Sequence, residues 1–407
     1  MSGNGKKRLF EPVSFGPVSL RNRTLRAAAF EGMADGHRPS PALIEYHRAV
    51  AAGGIGMTTV AYAAVEQSGL TFSHQLWIRP EIVADLRALT TSVRAEGARV
   101  SIQIGHAGNM AKKAVTGQRC SAPSSLPNLY APSWPRAMDE RDIARTVQSF
   151  GRASEIAAEA GFDAVEVHAG HGYLISQFLS PATNRRRDGY GGALERRMRF
   201  LREVIERVLR AADGKLAVLV KMNLSDGFEG GQTLDEGVQI ARTLEADGAH
   251  ALVLSGGFVS RTPMYILRGA MPIAVMAEQT RGMLKRLIRA AGPLLVREVP
   301  YQELYFLAHA ARVREAIRMP LVYIGGVTSK SAADRALAAG FDAIAMARAL
   351  IRDPAFVRRL ASQEGAQSPC DHCNYCAARI YGTSMSCYQT DPPPPHLARF
   401  IRPARTA

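Results

Sequence analysis

The chain has 407 residues, 47% of them apolar and 21% charged, which is too apolar for disorder and ample for a large buried core. Its 51 Lys and Arg against 36 Asp and Glu leave a formal charge of +15. Those cations are scattered along helical stretches without a nucleic-acid motif, so no nucleic-acid role is expected. The start MSGNGKKRLF lacks the apolar core of a signal peptide, and no run of about 18 apolar residues occurs. A cytoplasmic protein without a spanning segment is expected.

Short apolar, β-branched runs alternate with longer amphipathic stretches. The runs predict strands at 24–29, 55–61, 99–104, 163–167, 216–222, 250–254, 320–324 and 342–346. Helical patterns lie between them, at 81–97, 141–160, 195–212, 234–247, 304–317, 330–339 and 353–361. Strands apolar on both faces and separated by helices indicate parallel βαβ units, and eight such units point to a closed α/β barrel, (β/α)₈ in the TIM sense. The joint Ala160-Gly161-Phe162-Asp163-Ala164 is repeated as Ala339-Gly340-Phe341-Asp342-Ala343, as a barrel of similar units would allow. Ser329 is placed to cap the helix after the seventh strand.

Two segments break the rhythm. Residues 256–304 form a long insertion after the sixth strand, with a basic amphipathic stretch MLKRLIRAAGPLLVREV expected to be a lid or a dimer contact rather than a membrane-surface helix. Beyond it, 1–362 reads as the barrel and 363–407 as a Cys-rich extension ending in a Pro-rich tail.

Barrel active sites lie at the C-terminal ends of the strands. Gln103, His168, Lys221, Ser255, Gly325-Gly326 and Arg348 all fall at or just after predicted strand ends, so six strands deliver polar or glycine residues to one rim. Glycines after the seventh strand allow backbone N–H groups to approach a phosphate, and the Ala347-Arg348 step after the eighth brings a guanidinium to the same place.

These segments resemble the old yellow enzyme family of FMN oxidoreductases. LFEPVSFGPVSLRNR is similar to its N-terminal hairpin and first strand, SIQIGHAG to its third-strand motif, and VEVHAGHGYLISQFLSPATNRRRDGYGGALERRMRF to its fourth. YIGGVTSKSAADRALAAGFDAIAMARALIRDP resembles its phosphate end. The resemblance implies FMN over the barrel mouth, with Gln103 at the pyrimidine edge and Lys221 where many relatives carry Arg. Ala28 and Ala29 would line the flavin, and Gly325, Gly326, Ala347 and Arg348 would hold its phosphate. It further implies NAD(P)H as electron donor and hydride transfer to an activated C=C bond. His168 and His171 would hold the substrate carbonyl, and Tyr173 would supply the proton. A small-molecule substrate and a homo-oligomer are expected.

Cys370-x₂-Cys373-x₂-Cys376-x₁₀-Cys387 is spaced for four-thiolate ligation of an iron–sulfur cluster or zinc. The pattern resembles that of trimethylamine dehydrogenase and 2,4-dienoyl-CoA reductase, larger members that hold a [4Fe-4S] cluster. Iron–sulfur, zinc and an empty site all stay open at this point. The spacing keeps a second reading in view, a flavin and iron–sulfur dehydrogenase or demethylase that passes electrons to an external partner.

Overall fold

The computed structural model describes residues 8–128, 134–296 and 298–404. Residues 1–7 of the stretch read for a leader, Arg297 of the insertion and 405–407 of the tail lie outside the described residues.

Eight parallel strands close into a barrel in chain order: β1 (Thr24–Arg26), β2 (Met57–Ala64), β3 (Arg99–Gly105), β4 (Ala164–Ala169), β5 (Ala217–Asn223), β6 (Ala251–Ser255), β7 (Leu321–Ile324) and β8 (Ala343–Met346). Closure is made by β8 pairing with β1, Ile344 beside Thr24. The outer layer takes one helix after each strand, shorter helices aside: α1 (Pro41–Ala52), α2 (Val83–Ala95), α3 (Glu140–Glu159), α4 (Leu194–Ala212), α5 (Leu234–Ala246), α6 (Leu307–Ala316), α7 (Lys330–Ala338) and α8 (Phe356–Ser362). The (β/α)₈ TIM barrel expected from the sequence is the fold observed.

The alternation of strand side chains sorts the core in two. Val165, Val167, Val218, Val220, Leu252 and Leu254 point outward into the layer beneath the helices. Ala164, Ala217, Leu219, Ala251, Val253, Val322, Ala343 and Ala345 point inward. The expected N-terminal hairpin, Val13–Phe15 against Val18–Leu20, places Phe15, Val18 and Leu20 in that same interior cluster. The lower barrel is thus filled, and only the opposite end is open to a ligand.

The repeated joint has a shared physical cause. Gly161 and Gly340 adopt φ of 83° and 97°, which favours glycine. The aspartate two residues later accepts the N–H of the strand alongside, Asp163 from Val100 at 2.9 Å and Asp342 from Leu321 at 2.9 Å. Ser329 caps α7 through the Ala332 N–H at 3.0 Å, as its position predicted.

Two elements differ from the sequence expectation. The first strand stops at Arg26, not at 29, because the buried Arg26 guanidinium donates to Thr59 O at 2.6 Å and turns back to Ala29 O at 2.7 Å. Helix α1 has no counterpart among the predicted patterns. It buries Leu43, His47, Val50 and Ala51, and the polar His47 on that face masks an otherwise helical spacing.

The insertion forms three helices, Pro263–Leu267, Ile273–Glu278 and Gly282–Leu295. Val275 packs with Cys373, Tyr375, Ala378 and Leu397 of the C-terminal extension in a small apolar cluster of its own. Insertion and extension therefore meet each other, a contact that no local pattern announces. Among the described residues no helix is long and apolar enough to cross a membrane.

Candidate active site

Above its apolar plug the barrel interior turns polar, following the same inward parity. On β4 the inward series runs Ala164, Glu166, His168, and on β5 Ala217, Leu219, Lys221. Gln103 on β3 pairs in register with Glu166, and His168 with Lys221. Gln103 Nε2 donates to Glu166 Oε1 at 2.6 Å. The Lys221 ammonium, 1% exposed, lies 2.8 Å from the same oxygen as an ion pair. That contact is off hydrogen-bonding alignment, so the buried Nζ has no hydrogen-bond partner among the described residues. A buried ammonium whose donors are not satisfied is costly without a ligand that accepts from it.

The β4 end then bends sharply. His171 and Gly172 both have positive φ, 60° and 79°. The His171 N–H is held by Asn223 Oδ1 at 2.9 Å and the Gly172 N–H by Ser176 Oγ at 3.1 Å. A Cβ on Gly170 would come 2.8 Å from Asn223 Oδ1, so any side chain there would displace the amide that holds the His171 N–H. This geometry brings His168, His171 and Tyr173 together. The His168 ring lies 5.2 Å from that of His171 and 4.5 Å from that of Tyr173. Tyr62 of β2 completes the cluster, 4.8 Å from Tyr173 in an edge contact.

Their protonation states follow from the surroundings. Burial, reinforced by the Lys221 charge, pushes the His171 imidazole down to about 3. Burial, then His171 and Lys221, holds His168 well below the ordinary histidine value. Both rings are neutral at physiological pH and so each carries one N–H donor. Burial and the neighbouring Tyr62 and Tyr381 keep Tyr173 well above the usual phenol value, fully protonated. His171 Nε2 meets Ser255 Oγ at 2.7 Å, while the buried His168 Nδ1 has no hydrogen-bond partner among the described residues.

The cavity continues toward β7 and β8, where Gly325, Gly326, Ala347 and Arg348 line it, and across β1, where Ala28 and Ala29 do. Gly325 and Gly326 have φ of 129° and 76°. A Cβ on Gly326 would lie 2.9 Å from Gln302 O and 3.0 Å from Leu304 N, so this loop is closed to any side chain. Arg348 Nη1 donates to Asn374 Oδ1 at 2.7 Å and to Arg268 O at 3.3 Å, tying the rim to the extension and the insertion. The Ala27–Ala29 wall rests on a buried charge network. Arg26 pairs with Glu31 at 2.6 Å, and His47 Nε2 lies 3.2 Å from Glu31 Oε1.

Every expected catalytic and flavin-binding residue therefore borders one cavity: His168, His171, Tyr173, Ala28, Ala29, Gln103, Lys221, Gly325, Gly326, Ala347 and Arg348. Lys221 Nζ and His168 Nδ1, neither hydrogen-bonded among the described residues, at one end, and the glycine loop with Arg348 at the other, fit a flavin mononucleotide. Tyr62, Glu166 and Tyr381 were missed by sequence reasoning. Glu166 was discoverable, since it is the inward neighbour of His168 by strand parity. Tyr381 comes from the extension and carries no sequence signal.

The four cysteines behave differently. Among the described residues no three His, Cys, Asp or Glu side chains stand in metal-binding geometry. Cys376 borders the cavity, whereas Cys373 is buried in the apolar cluster with Val275 and Tyr375. Burial pushes the Cys376 thiol up to about 12 and raises Cys370, Cys373 and Cys387 as well. An iron–sulfur or zinc centre at Cys370, Cys373, Cys376 and Cys387 is not supported, and no step is routed through one.

With this geometry in view, comparison with known proteins is informative. A family model described as the NADH:flavin oxidoreductase / NADH oxidase family matches residues 8–261. The 4,4'-dithiodibutanoate disulfide reductase of Rhodococcus erythropolis is 40% identical over 384 residues, 94% of this chain and 95% of that protein. An NADPH dehydrogenase of Bacillus subtilis (strain 168) is 30% identical over 369 residues, 89% of this chain and 97% of its own. Among solved structures, a 2-naphthoyl-CoA reductase complex superposes with a TM-score of 0.79 at 24% identity, over 97% of this chain and 58% of that one, a likeness of fold alone.

Proposed function

The chain belongs to the NADH:flavin oxidoreductase / NADH oxidase family, the old yellow enzymes, and from that membership we propose that it uses FMN and NAD(P)H to reduce an activated C=C bond. The observation that carries this reading is the grouping of two neutral imidazoles and one protonated phenol on a single wall of the cavity.

FMN, when bound, supplies the hydride-carrying N5 that takes two electrons from NAD(P)H and passes them to the substrate β-carbon. Lys221 and Gln103 would hold the pyrimidine edge, where the positive charge of Lys221 would favour the reduced, anionic form. Gly325, Gly326 and Arg348 would hold the phosphate. His168 and His171 donate N–H bonds to the substrate carbonyl oxygen, stabilising the negative charge that develops there as hydride arrives. Ser255 fixes the His171 ring at 2.7 Å. Tyr173 then gives its proton to the α-carbon and recovers one from water, so one hydride and one proton complete the C–H pair.

A second reading is favoured by the Rhodococcus relative, which matches nearly the whole chain and is named for reducing a disulfide. There the hydride would go to one sulfur, the S–S bond would break, and Tyr173 would protonate the departing thiolate.

Anaerobic stopped-flow absorbance of the FMN-loaded protein tests both. NADH or NADPH should bleach the flavin, and an enone should restore its colour. Recovery with 4,4'-dithiodibutanoate but not with an enone would transfer the assignment to disulfide reduction. Failure of both nicotinamides to bleach the flavin would overturn it in favour of the dehydrogenase or demethylase alternative.

A further inference from the structure

Among the described residues lining the cavity there are two full cations, Lys221 and Arg348, and no Asp or Glu. The FMN reading uses both, one at the pyrimidine edge and one at the phosphate. A third cation stands beside the aromatic side of the cavity with no such task. Lys112 follows the short turn Gly108–Met110 beyond β3, and its Nζ lies 4.4 Å from the centroid of the Phe72 ring. Phe72 borders the cavity, stacks on Phe30 at 5.1 Å and meets the Tyr381 ring at 6.0 Å. Tyr381 in turn acts on the ionisation of Tyr173.

The electrostatics around Lys112 run in one direction. Burial lowers its ammonium below the ordinary lysine value, and no carboxylate offsets that shift. The titratable group facing it is His74, whose Nε2 donates to Ile380 O at 3.0 Å and whose imidazole Lys112 lowers further. No ion pair to Lys112 is formed among the described residues. A half-buried ammonium on an aromatic face recovers only part of its lost hydration through the ring. A carboxylate within hydrogen-bond reach would recover more, because charge-assisted bonds are the stronger kind.

We propose that Lys112 is an anion-recognition point of the substrate cavity, and that the physiological substrates carry a carboxylate. In this arrangement the substrate lies along Phe72, its carboxylate on Lys112 Nζ and its reducible end at His168 and His171. The proposal rests on the reading of this cavity as a reductase site and adds the substrate class to it.

The test uses the FMN-loaded full chain and a matched pair, (E)-4-oxopent-2-enoate and its methyl ester. Lys112→Met keeps a stem to pack on Phe72 and removes the charge. KM for the carboxylate should rise about tenfold with kcat little changed, while the ester is unaffected, as expected for a charge-assisted contact made equally in ground and transition states. Lys112→Arg should restore most of the difference. Isothermal titration of the oxidised enzyme with 4-oxopentanoate and its methyl ester gives a reading independent of turnover, and the same charge-dependent loss is expected. If neither enoate is reduced but titration shows that loss, the reductase assignment fails and the anion site stands. If turnover is normal and Lys112→Met changes acid and ester alike, or changes neither, the anion site is overturned alone.

Discussion

Replacing Tyr173 by Phe removes one hydroxyl and leaves the ring contacts with His168 at 4.5 Å and Tyr62 at 4.8 Å in place. Among the described residues the Tyr173 hydroxyl forms no hydrogen bond, so the substitution orphans no buried partner there. Stability should therefore change by no more than about 0.5 kcal/mol, within the range of neutral substitutions. The chemical effect is larger. A positioned general acid contributes roughly 10²–10⁴ in rate, or about 3–5 kcal/mol of barrier, and Tyr173 stands ready for that role because it is held protonated. Stopped-flow kinetics separate the two half-reactions. Bleaching of the flavin by NAD(P)H needs no proton from Tyr173 and should proceed as in the parent protein, while reoxidation by an enone should slow by the factor above. Equal slowing of both halves would mean that the hydroxyl positions the flavin or the nicotinamide. Reoxidation at the parent rate would mean that the proton comes from water. Either result refutes the assignment.

Two further outcomes follow from the site. Gly326→Ala places a Cβ 2.9 Å from Gln302 O and 3.0 Å from Leu304 N at a φ of 76°. It should cost about 1–3 kcal/mol, with a lower thermal midpoint and weaker retention of flavin; an unchanged midpoint with full flavin content would remove the argument for that loop. The depressed His171 value gives a pH dependence of stability. Between about pH 6.5 and 3 the unfolded chain takes up a proton that the folded chain refuses, so stability is fully present above about pH 6.5 and declines as pH falls. The slope from His171 alone is up to about 1.4 kcal/mol per pH unit, and His168 acts in the same direction. Denaturant midpoints at about pH 7.5 and about pH 5.5 should differ less in His171→Asn than in the parent, and an identical difference would contradict the buried neutral state.

The barrel was legible because its signals are local. Each strand is a short β-branched run and most helices show apolar residues at helical spacing, so the last seven strands are placed to within three residues at either end. The exceptions are instructive. Thr24–Arg26 ends early because the Arg26 guanidinium is drawn to Thr59 O, and α1 is hidden because His47, a polar residue on its buried face, serves the Glu31 network. Both depend on partners distant in the chain.

By itself the sequence determined the strand order, the rim on which the cavity lies, and the run His168-Ala169-Gly170-His171-Gly172-Tyr173 that borders it. These are consequences of period-two alternation and of the place where strands end. Only the tertiary structure decided the electrostatic character of those residues. The low imidazoles of His168 and His171 arise from burial beside Lys221, and the protonated Tyr173 from burial beside Tyr62 and Tyr381. Among the described residues it leaves the cysteines spaced for a metal without metal-binding geometry, and it stands Lys112 over Phe72 with no ion pair to a carboxylate. Spacing along a chain states which groups are near in sequence; burial, charge and orientation depend on residues that only folding brings together.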